Sequence, residues 1–445
     1  MRSTVSQSES EAPAVPARAK RGADTWEWSW VDDSVWTERM LAALENGVKG
    51  GRWYSLMDKV ERPETLRRAW ARVARNAGAA GVDGQSVARF AAREEAYLKE
   101  LEAALKTGSY QPQPLKRVAI PKGKGKLRPL GIPAVKDRIV QTALKLVVEP
   151  IFEREFEASS YGFRPGRSCK DALREVDGLL KAGYVHVVDA DVKGYFDSIP
   201  HAGLLARVAE RISDGRVLAL LESYLHQEVL AGLERWTPTQ GTPQGAVISP
   251  LLGNVYLDGL DKEMAARGHR MVRYADDFVV LCRTGEEAEA AYRALVAWVT
   301  SAGLELHPDK THVGDCRRRG DGFEFLGYRF EAGRRWVRRR SQQAFKDRIR
   351  TRTRRTRGVS IQQVVAELNP VIRGWFGYFR HADRRTFRGL DGFIRRRLRA
   401  LLRRQSKRPG HGHTAADHRR WPNAYFAGLG LFTMHEAHRL ACQSR

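Results

Sequence analysis

The 445-residue chain is too long for one small core and is expected to form two or three domains. Lysine and arginine total 77 against 52 aspartates and glutamates, a formal charge of +25, and this surplus favours a polyanionic partner such as nucleic acid over a small acidic substrate. The four cysteines form no CxxC pair and no stretch reaches the roughly 18 apolar residues of a membrane span, which argues against a disulfide scaffold, a zinc ribbon and a membrane protein.

The composition changes near residue 25. Residues 1–24 are rich in Ser, Ala, Pro and Glu with almost nothing to bury, so we expect a disordered tail. Residues 25–105 carry a tryptophan cluster followed by helical patterns at 37–44 and 63–75, which predict a helical N-terminal extension. The glycine-rich stretch 76–84 ends this pattern, and a plain loop and a nucleic-acid contact are both compatible with it.

A segment rich in lysine and glycine follows at residues 113–132. Its sequence, QPLKRVAIPKGKGKLRPLGI, predicts two strands joined by a hairpin, with Lys122, Lys124, Lys126 and Arg128 close together. Flexible glycines would let these cations close on a chain of phosphates. Solvated surface lysines are the alternative for Lys124 and Lys126.

Two acidic stretches predict a metal site. Residues 184–197, YVHVVDADVKGYFD, are an apolar run that reaches Asp191, and they predict a strand with acids at its end. Residues 271–282, MVRYADDFVVLC, predict a hairpin with Asp276 and Asp277 at its tip. One carboxylate from the strand and two from the hairpin would suit Mg²⁺, which prefers oxygen ligands. An ordinary polar turn is the alternative for the hairpin taken alone.

Three motifs in this order resemble the palm of reverse transcriptases. They are DVKGYFD at 191–197, QGTPQGAVISP at 240–250 and YADD at 274–277. The resemblance implies an α+β right-hand polymerase fold, with fingers and palm followed by a helical thumb. It also implies RNA-directed DNA polymerisation with two Mg²⁺ ions, with Asp191, Asp276 and Asp277 as catalytic residues and a metal site formed by Asp191, Val192, Asp276 and Asp277.

The resemblance also assigns the nucleotide contacts. In the family a lysine and an arginine six residues apart hold the triphosphate, and Lys122 and Arg128 match that spacing. A ring at Phe196 would exclude a 2′-hydroxyl, Gln244 would approach the new base pair, and Lys310 would help to protonate the leaving pyrophosphate. On the residues alone, Phe196 could be a core residue and Lys310 a surface lysine.

Further segments have supporting roles under the same resemblance. Residues 160–168, SYGFRPGRS, resemble the second fingers motif, which implies that Arg164 and Arg167 lie along the template strand. A basic surface loop is the alternative for this segment. Asp189 and Asp197 are expected to support the site rather than to coordinate metal.

The C-terminal region is strongly basic. Residues 331–420 contain 27 lysines and arginines against 6 aspartates and glutamates, a net charge of +21 that would repel itself without a polyanion. Residues 368–380 and 421–431 resemble the thumb, or maturase, signature of group II intron proteins. Nucleic-acid contacts are therefore expected at Arg373, Arg380, Arg395, Arg396 and Arg397.

Two smaller expectations concern the palm and the C-terminal loop. Residues 323–328, FEFLGY, resemble the family's fifth motif and are expected to form one apolar strand that grips the primer. His411, His413 and His418 have no cysteine pair nearby, so the sequence favours a loop over a metal site.

Together these features identify the chain as resembling a bacterial group II intron-encoded reverse transcriptase and maturase of the endonuclease-lacking type. The expected domains are a tail at 1–24, the extension at 25–105, fingers and palm at 106–330, and the thumb with a C-terminal tail at 331–445. The expected partners are intron RNA, an RNA template, a DNA primer or target and deoxynucleotides, with one or two copies on the RNA and a cytoplasmic, nucleoid-associated location. The alternatives are an RNA-binding splicing factor without polymerase activity and a domesticated defence or repair reverse transcriptase.

Overall fold

The computed structural model describes residues 28–123 and 126–443. The expected disordered tail at 1–24 lies outside the described residues, as does Lys124. The side chains of Lys122 and Lys126 also lie outside the described part of the chain.

The helices of the described residues are α1 (Glu38–Asn46), α2 (Met57–Val60), α3 (Pro63–Asn76), α4 (Val87–Ala91), α5 (Glu94–Thr107), α6 (Val135–Glu153), α7 (Cys169–Lys181), α8 (Tyr195–Ser198), α9 (His201–Ala209), α10 (Gly215–Leu225), α11 (Ser249–Ala266), α12 (Gly285–Ser301), α13 (Arg339–Arg352), α14 (Ile361–Phe379), α15 (Arg384–Gln405), α16 (Ala415–Arg420), α17 (Asn423–Gly428) and α18 (Met434–Gln443). Short 3₁₀ turns lie at Lys49–Gly51 and Pro308–Lys310. The strands are β1 (Leu115–Gly123), β2 (Lys126–Ile132), β3 (His186–Asp191), β4 (Val229–Ala231), β5 (Glu234–Trp236), β6 (Arg270–Tyr274), β7 (Asp277–Cys282), β8 (His312–Asp315), β9 (Phe323–Phe325), β10 (Tyr328–Glu331) and β11 (Arg334–Val337).

The two predicted N-terminal helices are confirmed as α1 and α3. The Thr37 side chain accepts a hydrogen bond from the Met40 amide and caps α1, while Pro63 begins α3, where its missing amide proton is not needed. The indole of Trp36 donates to the Leu146 carbonyl at 3.0 Å, which fastens this region to α6. Helix α6 is buried along most of its 19 residues and forms the centre of the first hydrophobic core.

The predicted lysine and glycine hairpin is confirmed as β1 and β2. The two strands pair antiparallel, and β1 also pairs with β4 in parallel through Leu115 and Val229. The resulting four-stranded sheet has the order β2-β1-β4-β5.

The palm sheet has the order β6-β7-β3-β8 and separates two hydrophobic cores. Because successive side chains of a strand point to opposite faces, Phe278 and Val280 of β7 join the first core, while Val279 and Leu281 join the second. Both faces are covered, which explains why β7 is a continuous apolar run rather than an alternating one.

The expectation of one strand at 323–328 is wrong. This stretch forms β9 and the start of β10, which pair antiparallel through Phe325 and Tyr328. Leu326 and Gly327 between them both have positive φ, 47° and 87°, and reverse the chain. Strand β11 completes a three-stranded sheet in the order β11-β10-β9.

Helices α13, α14, α15, α17 and α18 pack around the second core together with this small sheet. The aromatic residues predicted at helical spacing lie on α14, where Phe379 is buried and Trp375 stacks on Phe345 with ring centroids 4.5 Å apart. His411 and His413 lie in the connection between α15 and α16, and His418 lies within α16. Among the described helices, none is long and apolar enough to cross a membrane.

Candidate functional site

Two neighbouring strands bring Asp191 and Asp277 directly opposite each other. Strand β3 ends at Asp191, strand β7 begins at Asp277, and the antiparallel register pairs their Cα atoms. Asp276 occupies the turn between β6 and β7. The structure therefore gathers the three predicted carboxylates at one end of the two inner strands of the palm sheet. Asp277 lies on the strand itself rather than in the turn.

Burial dominates the electrostatics of these carboxylates. It raises the pKa of Asp277 to about 7, with Asp189 adding to the rise, and it raises the pKa of Asp189 to about 7 as well. Burial also raises the pKa of Asp276, an effect that Asp191 increases and that the cations Arg128 and Lys310 oppose. Crowded, desolvated carboxylates of this kind are stabilised as anions by a cation placed between them.

The donor set fits Mg²⁺, which takes hard oxygen ligands and keeps positions for substrate phosphates. Within the described residues, no three His, Cys, Asp or Glu side chains are arranged as a ready metal cage. Val192 follows β3 with a buried side chain, and its backbone pairs with that of Leu306, so its main-chain carbonyl is the group it could offer to a metal. The carboxylates are thus neighbours, but within the described residues their oxygens do not converge on a single metal position.

Lys310 lies against the first of these carboxylates. Its Nζ is 2.6 Å from Oδ2 of Asp191. The segment before it runs beside the end of β3, with the Lys193 amide donating to the Glu305 carbonyl at 2.8 Å and the His307 amide donating to the Asp191 carbonyl at 2.7 Å. The backbone therefore fixes the position of the segment that carries Lys310, and the Lys310 ammonium lies against one of the three predicted carboxylates.

A buried network beneath the turn was missed by the sequence reasoning. The Arg273 guanidinium is fully buried, with Nε 2.8 Å from Asp261 Oδ1, while its Nη1 donates to Asn254 Oδ1 at 2.9 Å and to the Ala275 carbonyl at 3.0 Å. Ala275 has a φ of 60°, a left-handed conformation that non-glycine residues seldom adopt. The guanidinium holds that strained turn from below. An arginine inside an apolar strand and an aspartate inside a mostly apolar helix were the signals that could have revealed the pair.

The turn is also held from the fingers side. A Cβ at Gly162 would collide with the Ala275 backbone nitrogen, so the chain passes close enough that only glycine fits there. The Asn254 side-chain amide donates to the Gly162 carbonyl at 2.8 Å. The segment that resembles the second fingers motif thus contacts the backbone of the turn that carries Asp276.

Two of the residues predicted to contact the nucleotide, Arg128 and Gln244, are hydrogen-bonded to each other. Arg128 Nε donates to Gln244 Oε1 at 2.9 Å, and the Gly131 amide donates to the Gln244 carbonyl at 2.7 Å. Lys122 lies on β1, close in register to Arg128, and its side chain is outside the described part. Phe196 lies on α8, half-buried against Gly253 of α11.

Two of the arginines predicted to contact nucleic acid, Arg164 and Arg167, instead make hydrogen bonds within the protein. Arg164 is only 6% exposed, forms an ion pair with Glu153 at 2.7 Å and donates to the carbonyls of Glu157 and Ser160. The structure therefore argues against the expected template contact for Arg164, because its guanidinium has no free face. Arg167 is half-buried and donates to the Ala158 carbonyl at 2.6 Å.

The C-terminal arginines are more accessible. Arg373, Arg380 and Arg396 are exposed, and Arg373 lies over the Phe432 ring at 4.4 Å. Arg395 is half-exposed, and Arg397 is half-exposed and donates to the Thr353 carbonyl at 2.9 Å. The exposed three are free to meet phosphates, whereas Arg397 also holds α15 against α13.

Comparison with known proteins gives this arrangement a family. A family described as "Reverse transcriptase (RNA-dependent DNA polymerase)" matches residues 120–330, and one described as "Group II intron, maturase-specific domain" matches residues 342–421. Protein YkfC of Escherichia coli (strain K12) is 36% identical over 335 residues, which are 66% of this chain and 87% of that protein. The chain belongs to the group II intron reverse transcriptase and maturase family.

Other members are similar over shorter stretches. The group II intron-encoded protein LtrA of Lactococcus lactis subsp. cremoris is 40% identical over 169 residues, 38% of this chain and 28% of that protein. Nuclear intron maturase 2 of Arabidopsis thaliana is 28% identical over 234 residues, 44% of this chain and 31% of that protein. These matches confirm the expected right-hand polymerase fold and the functional class, an RNA-directed DNA polymerase joined to an intron maturase domain.

Proposed function

We propose that the protein copies RNA into DNA at the site formed by Asp191, Asp276 and Asp277, and that its basic C-terminal helices bind group II intron RNA during splicing. The observation that carries the polymerase half is the register between β3 and β7, which sets Asp191 opposite Asp277 with Asp276 in the adjoining turn. Family membership supports the class of reaction, and this geometry supports the assignment of the residues.

Each nearby side chain has a distinct task in this proposal. The three carboxylates would hold two Mg²⁺ ions, and when bound these ions would supply the positive charge that lowers the pKa of the primer 3′-hydroxyl and stabilises the leaving pyrophosphate. Lys122 and Arg128 bind the triphosphate, and Gln244 beside Arg128 lies against the new base pair. Phe196 excludes a 2′-hydroxyl by its bulk, and Lys310 supplies a proton to the leaving group.

The RNA-binding half rests on charge and exposure. The 331–420 segment carries a net charge of +21, and its exposed arginines Arg373, Arg380 and Arg396 lie outside the core. Guanidinium groups bind phosphates through two parallel hydrogen bonds, so this surface suits a structured RNA. The proposed partners are intron RNA, an RNA template, a DNA primer or target and deoxynucleotides, in a bacterial cytoplasm close to the nucleoid.

The test separates the two halves with the Asp276→Ala variant. Losing one carboxylate should lower RNA-templated primer extension by several powers of ten, because each tenfold loss corresponds to roughly 1.4 kcal/mol of transition-state stabilisation. Affinity for RNA, and splicing of a group II intron RNA with the protein added, should change little. The protein should stay folded, because the change removes a half-buried carboxylate whose pKa is raised by its partial burial.

Asp309→Ala is the matched control, since it removes an exposed aspartate from the nearby 3₁₀ turn and should leave extension intact. A variant that still extends DNA would contradict the assignment of Asp276. Wild-type protein that promotes splicing without any extension would favour the splicing factor without polymerase activity. Extension without splicing or intron RNA binding would favour a domesticated repair or defence enzyme.

A further inference from the structure

A hydrogen-bonded relay joins the fingers to the palm through one side-chain amide. Gln244 accepts from Arg128 Nε through its Oε1 at 2.9 Å and donates from its Nε2 to Asp197 Oδ2 at 2.9 Å. Asp197 lies on α8, six residues after Asp191 and next to Phe196. The Gln244 side-chain amide is therefore hydrogen-bonded at its oxygen to a cation and at its nitrogen to an anion.

The two partners select one orientation of the amide. An arginine only donates and an ionised carboxylate only accepts, so the carbonyl oxygen must face Arg128 and the NH₂ group must face Asp197. The flipped amide would set NH₂ against the guanidinium and oxygen against the carboxylate. Both interactions would then be repulsive, and because the two ends of an amide have nearly the same shape, these charges alone decide between the orientations.

The backbone around the relay is fixed independently. The Gly241 amide donates to the Ile199 carbonyl at 2.7 Å and the Thr242 amide donates to the Phe196 carbonyl at 2.6 Å, which bind the 240–244 loop to α8 and the residue after it. Gly241 has a φ of 87°, and a Cβ there would press into the Asp197 backbone. Because these contacts fix the backbone of the 240–244 loop and of α8, the side-chain rotamer of Gln244 is the main conformational freedom that remains. The hydrogen bond to Asp197 restricts that rotamer.

We propose that Asp197 is a positioning residue for nucleotide binding: it fixes the Gln244 amide, which in turn holds the Arg128 guanidinium in place for the triphosphate. This inference rests on the proposed function of Arg128 and Gln244. Asp197 acts through Gln244, which donates to its Oδ2, and is not a metal ligand in this scheme. The relay selects where the nucleotide binds and leaves the chemical step to the three carboxylates.

The Asp197→Asn variant tests the proposal, because asparagine keeps the shape but can either donate or accept. Once the amide is free to flip, its NH₂ group can face Arg128 and displace it. In single-nucleotide incorporation on an RNA template, KM for the deoxynucleotide should rise roughly tenfold, the size expected for one hydrogen bond to a charged group. The value of kcat should stay within about twofold, since no metal-binding carboxylate is altered.

A double-mutant cycle with Gln244→Met distinguishes positioning from simple loss of charge. In the Gln244→Met background, Asp197→Asn should have no further effect on KM, because there is no amide left to orient. An increase in KM that persists in that background would show that Asp197 acts by another route and would overturn the proposal. Glu305→Gln is the charge control. It removes an exposed carboxylate that pairs with Lys193, just after the end of β3, and should leave KM unchanged.

A second readout does not depend on polymerisation. In protein labelled with ¹⁵N-glutamine, the Gln244 side-chain amide signal is identified by its absence in Gln244→Met. We expect that signal to shift and broaden in Asp197→Asn and to stay unchanged in Glu305→Gln. An unchanged amide signal in Asp197→Asn would refute the relay, whereas wild-type protein with the expected amide behaviour but no primer extension would refute only the proposed function.

Discussion

The ammonium of Lys310 lies 2.6 Å from Oδ2 of Asp191, where a metal-binding carboxylate would present an oxygen to a cation. Both side chains are about half exposed, and ion pairs of this kind contribute little to stability, typically ~0.2–1 kcal/mol. The loop that carries the lysine has two shielded polar atoms without a hydrogen-bond partner, His307 Nδ1 and Thr311 Oγ1. The exposed ion pair therefore holds the Lys310 side chain only weakly.

Replacing Lys310 with glutamine should strengthen metal binding in the absence of nucleotide. The ammonium and a divalent cation compete for the Asp191 carboxylate, so removing the ammonium should raise Mn²⁺ affinity by up to about fivefold, which corresponds to the upper end of the free energy of such an ion pair. Electron paramagnetic resonance of free Mn²⁺ measures this without catalysis. Lys193→Gln, which removes the ammonium paired with Glu305 nearby, is the control and should leave the affinity unchanged. Weaker binding in Lys310→Gln would contradict the competition.

Stabilisation by Mg²⁺ should increase with pH. Burial raises the pKa of Asp277 to about 7 in the folded protein, so without metal this carboxyl favours folding below its unfolded pKa near 3.8 and loses that contribution as pH rises through 7. Metal binding needs the ionised carboxylate, so the rise in melting temperature on adding Mg²⁺ should be larger at pH 8 than at pH 6. Thermal unfolding with and without Mg²⁺ measures it, and Asp277→Asn should remove most of the difference. Equal shifts at both pH values in the wild type would count against this site.

Phe196→Ala should admit ribonucleotides. The ring lies half-buried against Gly253, and a Cβ at that glycine would come within 3.0 Å of Phe196 Cε1, so the ring position is tightly constrained. Removing it opens space for a 2′-hydroxyl, and the preference for deoxynucleotides over ribonucleotides in primer extension should fall while deoxynucleotide incorporation continues. Because truncating a packed phenylalanine also destabilises the fold, melting temperature must be measured alongside. An unchanged preference in a folded variant would make Phe196 a packing residue only.

Exposed arginines of the C-terminal helices should set the salt dependence of RNA binding. Removing one arginine that neutralises a phosphate should flatten the slope of log K against log salt by roughly 0.7 for single-stranded nucleic acid. Arg373→Gln, Arg380→Gln and Arg396→Gln combined should therefore reduce the slope by about 2, measured by titration of a labelled single-stranded RNA oligonucleotide.

Arg164→Gln provides the matched control for this series. Its buried ion pair with Glu153 predicts a loss of thermal stability with an unchanged salt slope, because the guanidinium does not reach the surface. A flattened slope in Arg164→Gln, or an unchanged slope in the triple variant, would reverse this division of roles.

The sequence predicted the elements of the site better than the interactions that support it. Asp191 and Asp277 could be placed because each lies at one end of an apolar strand and Asp276 because it lies in the adjoining turn, while the resemblance to reverse transcriptases indicated that the two strands share one site. Arg164 was expected at the surface because its segment is a basic loop with no sign of burial, whereas Arg273 was overlooked although it lies inside an apolar strand. The Leu326-Gly327 turn was missed because the six-residue stretch is apolar on both sides of it and lacks the usual Asn-Gly signal.

The second core ties the palm sheet to the C-terminal helices, which limits how the protein can be shortened in evolution. It combines Val187, Val279 and Leu281 of the palm sheet with aromatic residues of the small sheet and apolar residues of helices α13, α14, α15, α17 and α18. A gene truncated before those helices would encode a palm with one apolar face bare to water, which favours aggregation over a smaller working enzyme. Descendants that abandon one activity are therefore expected to keep their full length and to carry the loss as point substitutions, at an acid of the palm or at an exposed arginine.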